Sequence, residues 1–228
     1  MDIKRINEVI SIIKKNKYKA FLIGGSSRDL IFSRDFDDVD IATNAPLDFI
    51  YKTFQVVNDE GKSLGSVKIS YKNVIMELTR FRVEKYKDNS TFPKIEKFVN
   101  DENEDAIRRD FTINAIYLDT TNNNIIDPFD GFKDLFSFQV RFIGQPIERI
   151  KQDPSRILRG LRLAYKMNFT IHKETDEAFR LYKDELKRLS KNRFNKEIEK
   201  MIEELGETKT LNILKEYNIE RENEHEHQ

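Results

Sequence analysis

The hydrophobic pattern of this sequence changes at Pro146. Before that residue, short apolar runs that fit strands alternate with amphipathic segments, whereas after it the pattern is helical almost to the end. Apolar residues recur about every 3.6 positions in a helix and every second position in a strand. The sequence therefore predicts an α+β fold in two parts, a mixed α/β domain at 1–145 and a helical domain at 146–228.

The first part is predicted to contain several short elements. Isoleucine and valine at helical spacing mark a helix at 3–16, and the apolar run at 20–23 indicates a strand that stops at Gly24. The remaining predicted elements are helices at 27–33 and 46–53 and strands at 38–43, 66–71, 73–81, 113–118 and 125–126. Residues 84–104 are polar and lack a clear period, so we predict a loop there.

Composition limits the chemistry of any active site. The chain has no cysteine, and its three histidines are His172, His225 and His227. Thiolate nucleophiles and cysteine-ligated zinc are thereby excluded, and a histidine triad or zinc site is not expected. A metal site must then rely on carboxylates, which favours a hard cation such as Mg²⁺.

Charge and hydropathy indicate a partner and a location. Residues 151–200 carry 14 Lys/Arg and 8 Asp/Glu, a net charge of +6, whereas residues 201–228 carry 3 and 8. The basic segment fits the binding of a polyanion, although a solvated helix face explains it equally well. No apolar run reaches the roughly 20 residues that span a bilayer, and no apolar signal core follows Met1. We therefore expect no membrane association and a cytoplasmic location.

The sequence Asp38-Val39-Asp40 carries the central chemical hypothesis. Side chains two positions apart on a strand leave from the same face, so both carboxylates should converge while Val39 faces the core. Two carboxylates held a few ångströms apart repel each other unless a cation lies between them. Such a pair can hold two Mg²⁺ ions for phosphoryl transfer. Asp-x-Asp is also frequent in surface turns, and that alternative remains open on this motif alone.

A glycine-rich turn precedes the acidic pair. Gly24-Gly25-Ser26 lies between a predicted strand and a predicted helix, and Arg28 follows within the helix. Glycines let backbone N–H groups approach a triphosphate, the helix N-terminus favours negative charge, and an arginine can bind phosphate. A tight strand-to-helix turn without a ligand is the alternative explanation.

A third acidic residue, Glu77, lies between apolar neighbours in the predicted strand 73–81. It could complete the carboxylate set, and we count it with Asp38 and Asp40 as a candidate catalytic residue. A cross-strand partner of Lys68, or an exposed strand residue without a function, is an equally good interpretation.

Six motifs in a fixed order resemble one family. They are Gly24-Gly25 with Arg28-Asp29-Leu30, then the segments 38–43, 77–82, 108–115, 127–131 and 153–159. Together they resemble the tRNA nucleotidyltransferase (CCA-adding enzyme) and bacterial poly(A) polymerase family, the class II branch of the polymerase-beta-like nucleotidyltransferases. The resemblance implies a polymerase-beta-like head with a small mixed sheet, followed by an all-helical neck.

The resemblance also implies an activity and its substrates. Members of this family add CMP and AMP from CTP and ATP to the 3′ end of RNA, above all tRNA, with two Mg²⁺ ions. By this resemblance, Asp38 and Asp40 hold the metals, and Gly24, Gly25, Ser26 and Arg28 hold the triphosphate. Arg109 and Asp110 are implied to hold the ribose and phosphates of the nucleotide. Asp153 and Arg156 are implied to select the base.

The predicted helix 154–168 carries a row of arginines. Arg156, Arg159 and Arg162 recur every three residues and form a slanting stripe, which we predict to face nucleotide or RNA backbone. Ion pairs with neighbours such as Glu148 are the alternative. Asp153 before Pro154 is also a typical N-cap signal, so we expect it to cap the helix as well as to act on the base.

Three departures from the family pattern leave part of the function open. The 84–104 segment lacks the arginine and histidine usual before Pro93, and Gln152 stands where relatives carry glutamate. The helical body and tail that usually grip tRNA are absent from this sequence. Either RNA binding is minimal, a second chain or a homodimer supplies the missing surface, or the sequence is a fragment of a longer protein. Besides a complete CCA-adding enzyme, the sequence leaves open CC- or A-addition alone, a poly(A) polymerase, or a catalytically weak RNA-binding module.

Overall fold

The structure is a computed structural model that describes residues 2–36, 38–87 and 90–220. These described residues separate into two compact units. The first unit holds the described residues of 2–87 and 93–137, and the second holds 90–92 and 138–220. The change of pattern seen in the sequence at Pro146 thus lies inside the second unit.

The first unit is built on a mixed sheet. Its strands are β1 (Ala20–Leu22), β2 (Asp40–Thr43), β3 (Gln55–Asn58), β4 (Ser66–Tyr71), β5 (Val74–Arg80), β8 (Tyr117–Asp119) and β9 (Asn124–Ile126). Among the described residues they follow the order β3-β4-β5-β2-β1-β8-β9. β2 pairs with β5 in parallel, and the other neighbours are antiparallel. The central position of β2 brings Asp40 to the middle of the sheet.

Helices α1 (Ile3–Lys15) and α3 (Leu47–Thr53) pack against the sheet and share its hydrophobic core. α1 begins after Asp2, whose side chain accepts a hydrogen bond from the Arg5 N–H. Its buried residues recur at the spacing of one helix face and join the core formed by the inward side chains of the strands. The other helices of this unit are α2 (Gly24–Ile31), α4 (Glu102–Ile107) and α5 (Gly131–Phe136).

The loop predicted at 84–104 is wrong. β6 (Arg82–Lys85) pairs with β7 (Lys94–Phe98) in an antiparallel hairpin, and α4 follows. Most residues of β7 are exposed, and ion pairs such as Lys85–Glu96 line the hairpin. The inward positions of β6 are the charged residues Arg82 and Glu84, which pair with each other at 2.7 Å. The hairpin therefore has no apolar alternation, and its sequence carries no periodic signal.

The strand predicted at 113–118 starts later than expected. Thr112–Asn114 forms a 3-10 turn, and β8 begins at Tyr117. The Thr112 hydroxyl donates a 2.6 Å hydrogen bond to Asp134, and a Cβ added to Gly131 would lie 2.2 Å from the Thr112 carbonyl oxygen. The close approach of α5 therefore fixes this turn.

The second unit consists mainly of helices. They are α6 (Pro146–Gln152), α7 (Ser155–Met167), α8 (Lys173–Leu181), α9 (Lys191–Leu205) and α10 (Glu207–Glu216). Two short parallel strands, β10 (Gln139–Val140) and β11 (Thr170–Ile171), accompany them. The buried face of α7 includes Leu158 and Leu161, and α9 contributes Ile198 and Met201 to the core of this unit.

Helix length bears on the expected absence of membrane association. A helix that spans a bilayer needs about 20 mostly apolar residues. Nowhere in the described ranges is a helix both long enough and apolar enough to cross a membrane.

Candidate active site

The turn from β1 into α2 lies against Asp40. Gly24, the first residue of α2, has φ +70°, and a Cβ added to it would lie 3.3 Å from Asp40 Oδ2. This backbone conformation costs residues with a side chain about 1 kcal/mol or more. Glycine therefore allows the N-terminus of α2 to begin directly beside the Asp40 carboxylate.

Ser26 fixes this turn to the start of β2. Its hydroxyl donates a 2.8 Å hydrogen bond to the Ile23 carbonyl oxygen and accepts one of 3.2 Å from the Asp40 N–H. The residue is 1% exposed. Ser26 was predicted to bind nucleotide, but in this structure its side chain serves the backbone that positions Asp40.

The three candidate carboxylates lie on or just before the neighbouring strands β2 and β5. Asp38 precedes β2 and is exposed, Asp40 opens β2, and Glu77 is the parallel partner of Asp40 on β5. Burial, followed by the charges of Glu77 and Asp38, raises the pKa of Asp40 to about 6, although Arg109 acts in the opposite direction. The electrostatic cost of ionising Asp40 indicates that a cation would stabilise this site.

Glu77 is held by a hydroxyl and not by a lysine. Its Oε1 accepts a 2.5 Å hydrogen bond from Ser66 Oγ, and Thr79 Oγ1 donates to the same Ser66 oxygen at 3.1 Å. Lys68 is the Cα partner of Glu77 on β4, yet no salt bridge joins the two side chains among the described residues. The Ser66 contact thus orients Glu77 beside Asp40.

The acidic pair fits Mg²⁺. Neither Asp38 nor Asp40 forms a salt bridge with a lysine or arginine within the part of the chain that the structure describes. In that same part, no three Asp, Glu, His or Cys side chains are grouped closely enough to enclose a metal ion. Mg²⁺ typically binds one or two carboxylates together with substrate phosphates and water. Two carboxylates beside a glycine turn at a helix N-terminus meet the protein's part of that requirement.

Arg28 lies behind the glycine turn. Its side chain is 6% exposed, and its Nη1 donates a 2.6 Å hydrogen bond to Asn114 Oδ1. A Cβ added to Gly25 would lie 3.5 Å from Arg28 Nη2. Asn114 therefore orients Arg28 toward the turn. Asn114 lies in the motif at 108–115, but no role was predicted for it.

Arg109 belongs to a buried network with Asp105 and Tyr117. Its Nη2 donates to Asp105 Oδ2 at 3.0 Å and its Nε to the Tyr117 hydroxyl at 3.0 Å, while that hydroxyl donates to Asp105 Oδ2 at 2.7 Å. Burial alone would raise the pKa of Asp105, but Arg109, Arg108 and the Tyr117 hydroxyl outweigh it and hold the pKa at about 2. Asp110 follows Arg109 directly and is half-buried. Sequence reasoning did not identify Asp105 or Tyr117.

In the second unit, Asp153 is an anchor for the start of α7. Its Oδ1 accepts from the Ser155 N–H at 3.0 Å and from Ser155 Oγ at 2.7 Å. Its Oδ2 accepts from Arg193 Nη2 at 2.7 Å and from Arg159 Nη2 at 3.4 Å. Pro154, and not Asp153, directly precedes α7, so Asp153 bonds to the first residue of the helix from two positions before it, and it is 3% exposed.

Arg156, the first arginine of the predicted stripe, is buried. This side chain is 1% exposed, and its Nη1 donates to the Arg149 carbonyl oxygen at 2.7 Å and to Gln152 Oε1 at 3.1 Å. Gln152 Oε1 also accepts from Arg149 Nη1 at 2.8 Å. The neutral glutamine therefore bridges two arginines, and the C-terminal end of α6 draws Arg156 inward.

Arg162 contacts another helix in this structure. It pairs with Glu204 at 3.2 Å and with Glu197 at 3.6 Å, both on α9. Arg159 is half-buried and contacts Asp153. Both arginines thus form ion pairs within the unit, which is the alternative interpretation of the stripe, and contact with nucleotide stays a prediction. The α9 partners of Arg162 lie too far along the chain for helical periodicity to reveal them.

Sequence reasoning missed Arg193. Besides Asp153, its guanidinium donates to the Thr91 carbonyl oxygen at 2.6 Å and to Ser155 Oγ at 3.2 Å, and it lies 4.6 Å from the Phe92 ring centroid. One side chain of α9 thereby joins the start of α7 to the segment at 90–92.

Two family descriptions match this chain. Residues 20–141 match the "Poly A polymerase head domain", and residues 168–221 match the "Probable RNA and SrmB- binding site of polymerase A". The two matches fall one after the other along the sequence. Together they cover the candidate carboxylates and most of the helices of the second unit.

Curated relatives and solved structures agree with these matches. A CCA-adding enzyme of Staphylococcus haemolyticus is 37% identical over 194 residues, which are 85% of this chain and 48% of that protein. The crystal structure of the Bacillus stearothermophilus CCA-adding enzyme in complex with CTP gives a TM-score of 0.83 at 30% identity, covering 95% of this chain and 52% of that one. A tRNA nucleotidyltransferase complexed with a primer tRNA and an incoming ATP analog gives a TM-score of 0.73 at 25% identity, covering 92% and 60%.

The chain spans about half the length of the curated relatives it matches. The structural likeness confirms the predicted polymerase-beta-like nucleotidyltransferase fold. Because the first family description covers more than half of the residues, the chain belongs to the poly(A) polymerase head-domain family, as its motifs predicted.

Proposed function

We propose that this chain is an RNA nucleotidyltransferase that adds CMP, AMP or both to the 3′ end of tRNA. The observation that carries the proposal is the position of Asp40, beside the N-terminus of α2 and next to Asp38, without a basic partner among the described residues. The names of its relatives as CCA-adding enzymes support CTP and ATP as substrates.

The residues of the first unit suit this reaction. The N–H groups at Gly24 and Gly25 and the Arg28 guanidinium would bind the triphosphate, because a helix N-terminus and a guanidinium both favour phosphate. Two Mg²⁺ ions held by Asp38 and Asp40 would lower the pKa of the RNA 3′-hydroxyl and neutralise pyrophosphate. A bond forms between the 3′-oxygen and the α-phosphorus, and the bond from that phosphorus to the oxygen bridging to the β-phosphorus breaks. Glu77, oriented by Ser66, would add a third negative charge beside Asp40 and so favour cation binding.

Base selection is proposed for Asp153 and Arg156. An aspartate can accept a hydrogen bond from the exocyclic amine of cytosine or adenine, and an arginine can donate to a ring nitrogen or carbonyl. In this structure both side chains have internal partners, Ser155 and Arg193 for Asp153 and the Arg149 carbonyl oxygen for Arg156. Reading a base would therefore require an exchange of these hydrogen bonds.

Incorporation of labelled nucleotides tests the activity. The 228-residue chain is incubated with Mg²⁺, CTP, ATP and tRNAs that end at different 3′ positions. We expect one to three nucleotides to be added to each tRNA. Asp38→Ala and Asp40→Ala should abolish incorporation while keeping the circular dichroism of the parent. Long adenylate tails would instead indicate a poly(A) polymerase. RNA binding without incorporation would indicate a binding module.

The remaining RNA contacts are proposed to involve a second chain or a second copy of this one. The match of 168–221 to a probable RNA-binding site supports a contribution from the second unit. Size-exclusion chromatography with and without tRNA gives the stoichiometry of the complex. A 1:1 complex with full activity would contradict the need for a second copy.

A further inference from the structure

The sheet of the first unit divides the surroundings of Asp40 into two flanks. On the side of β1, α2 begins at Gly24 against the Asp40 carboxylate. On the other side, β5 and then β4 follow β2 in the sheet. Since the N-terminus of α2 suits the triphosphate, the flank formed by β5 and β4 is where a second substrate would lie.

Lys68 occupies this second flank. It is the Cα partner of Glu77, which in turn is the Cα partner of Asp40, so the three residues form a row across β4, β5 and β2. Paired residues project from the same face of a sheet, and strands lie about 4.8 Å apart, which puts the Cα atoms of Lys68 and Asp40 about 10 Å from each other. Lys68 is exposed on this face.

The Lys68 ammonium has no carboxylate partner in the described part of the chain. Glu77 is bonded to Ser66, whereas two other lysines near the β4–β5 hairpin are paired, Lys62 with Asp59 at 3.2 Å and Lys72 with Glu8 at 2.6 Å. The charge of Lys68 nevertheless reaches Asp40, where it opposes part of the rise in pKa that burial and Glu77 cause. An exposed ammonium without a partner, close to the acidic site, is suited to a phosphate of a second substrate.

We propose that Lys68 binds a backbone phosphate of the acceptor RNA strand, close to its 3′ end, on the exposed face of β4 and β5. Ile75, the cross-strand partner of Ser70 on the same face, is 49% exposed and offers an apolar contact for a ribose or a base. This assignment rests on the proposed function, because it takes Asp40 as the point of phosphoryl transfer. It adds a binding surface for the acceptor to the triphosphate site at α2.

Lys68→Ala, Lys68→Arg and the control Lys72→Ala test this surface. Steady-state incorporation gives the KM for a tRNA that lacks its terminal nucleotides and, separately, the KM for CTP. We expect Lys68→Ala to raise the KM for tRNA about fivefold and to leave that for CTP unchanged. Lys68→Arg should restore the KM for tRNA, and Lys72→Ala should match the parent.

Fluorescence anisotropy with labelled tRNA and no nucleotide gives an independent measurement. In a plot of the logarithm of the binding constant against the logarithm of the salt concentration, the slope for Lys68→Ala should be less steep by about 0.7. That difference corresponds to the loss of one phosphate contact to a single strand. An unchanged slope with an unchanged KM for tRNA would overturn the proposal, and so would a higher KM for CTP alone. If the parent incorporates no nucleotide, the proposed function fails, and the salt slope alone then decides on Lys68.

Discussion

Arg193 Nη2 donates a 2.7 Å hydrogen bond to Asp153 Oδ2, although the two residues are 40 positions apart. The Asp153 side chain is 4% exposed and that of Arg193 18%. A buried carboxylate depends strongly on such a partner, because its desolvation cost remains when the partner is removed. The contact therefore bears on stability as well as on the orientation of Asp153.

Arg193→Ala should lower the free energy of unfolding by about 2 kcal/mol, since Asp153 keeps Ser155 and Arg159 but loses its shortest charged contact. Urea unfolding followed by circular dichroism measures the change. Lys196→Ala, an exposed position on the same helix, is the control and should stay within about 0.5 kcal/mol of the parent. Equal stability of the two variants would show that the Arg193 contact is not needed.

Asp40→Asn should make the first unit more stable at neutral pH when divalent cations are removed with EDTA. The pKa of Asp40 is about 6 in the folded protein, above the ordinary aspartate value of 3.8 that applies to the unfolded chain, so the folded state binds more protons between these values. Stability from this residue is present below pH 4 and is lost as the pH rises through 6. Asparagine does not ionise, so the free energy of unfolding of Asp40→Asn should exceed that of the parent by about 2 kcal/mol above pH 7.

Thermal unfolding of Asp40→Asn and its parent from pH 4 to pH 8 measures that difference. Adding Mg²⁺ at pH 8 should raise the Tm of the parent and leave that of the variant nearly unchanged. A constant difference across the pH range would contradict a raised pKa for Asp40.

Gly24→Ala should reduce both stability and activity. The left-handed backbone at Gly24 costs alanine about 1–2 kcal/mol, and the new methyl group would lie 3.3 Å from Asp40 Oδ2. Displacement of that carboxylate should lower kcat/KM by roughly 10- to 100-fold. Gly144→Ala, with φ +76° and no atom within 4 Å of the added Cβ, is the matched control. Gly144→Ala should lose stability without losing activity. A similar loss of activity in both variants would contradict the explanation that the new methyl group displaces Asp40.

Tyr117→Phe should lower the free energy of unfolding by about 2 kcal/mol. The hydroxyl donates to Asp105 and accepts from Arg109, and both groups lose a buried partner when it is removed. Tyr51→Phe removes a tyrosine–aspartate hydrogen bond of 2.9 Å at the surface and should cost less than about 0.5 kcal/mol. Chemical denaturation of both variants gives the comparison, and equal costs would contradict a special role for the buried network.

The sequence predicted the local parts of the candidate site well. Gly24 and Asp40 each lie in a short segment whose strand or turn character follows from its own residues, so their elements were identified in advance. The spacing of Asp38 and Asp40 also indicated a shared acidic site. Such features depend on neighbours within a few positions, which a single sequence shows directly.

Contacts between distant segments were beyond prediction. Asp105 lies next to the segment interpreted as a loop, yet it is fully buried under Arg108, Arg109 and Tyr117. Arg162 was expected to face nucleotide, but Glu197 and Glu204 meet it from another helix. Charge and periodicity cannot show which of many carboxylates will lie beside a given arginine once helices pack.

The parallel pairing of β2 with β5 has a consequence for the order of events in folding. Antiparallel neighbours such as β4 and β5 are joined by a short turn, whereas β2 reaches β5 only after α3, β3 and β4 have intervened. Non-local parallel pairs form slowly because loop entropy is lost before contacts compensate for it. Asp40 and Glu77 are therefore expected to come together late. In a newly made chain, the repulsion between their two carboxylates would arise only near the end of folding.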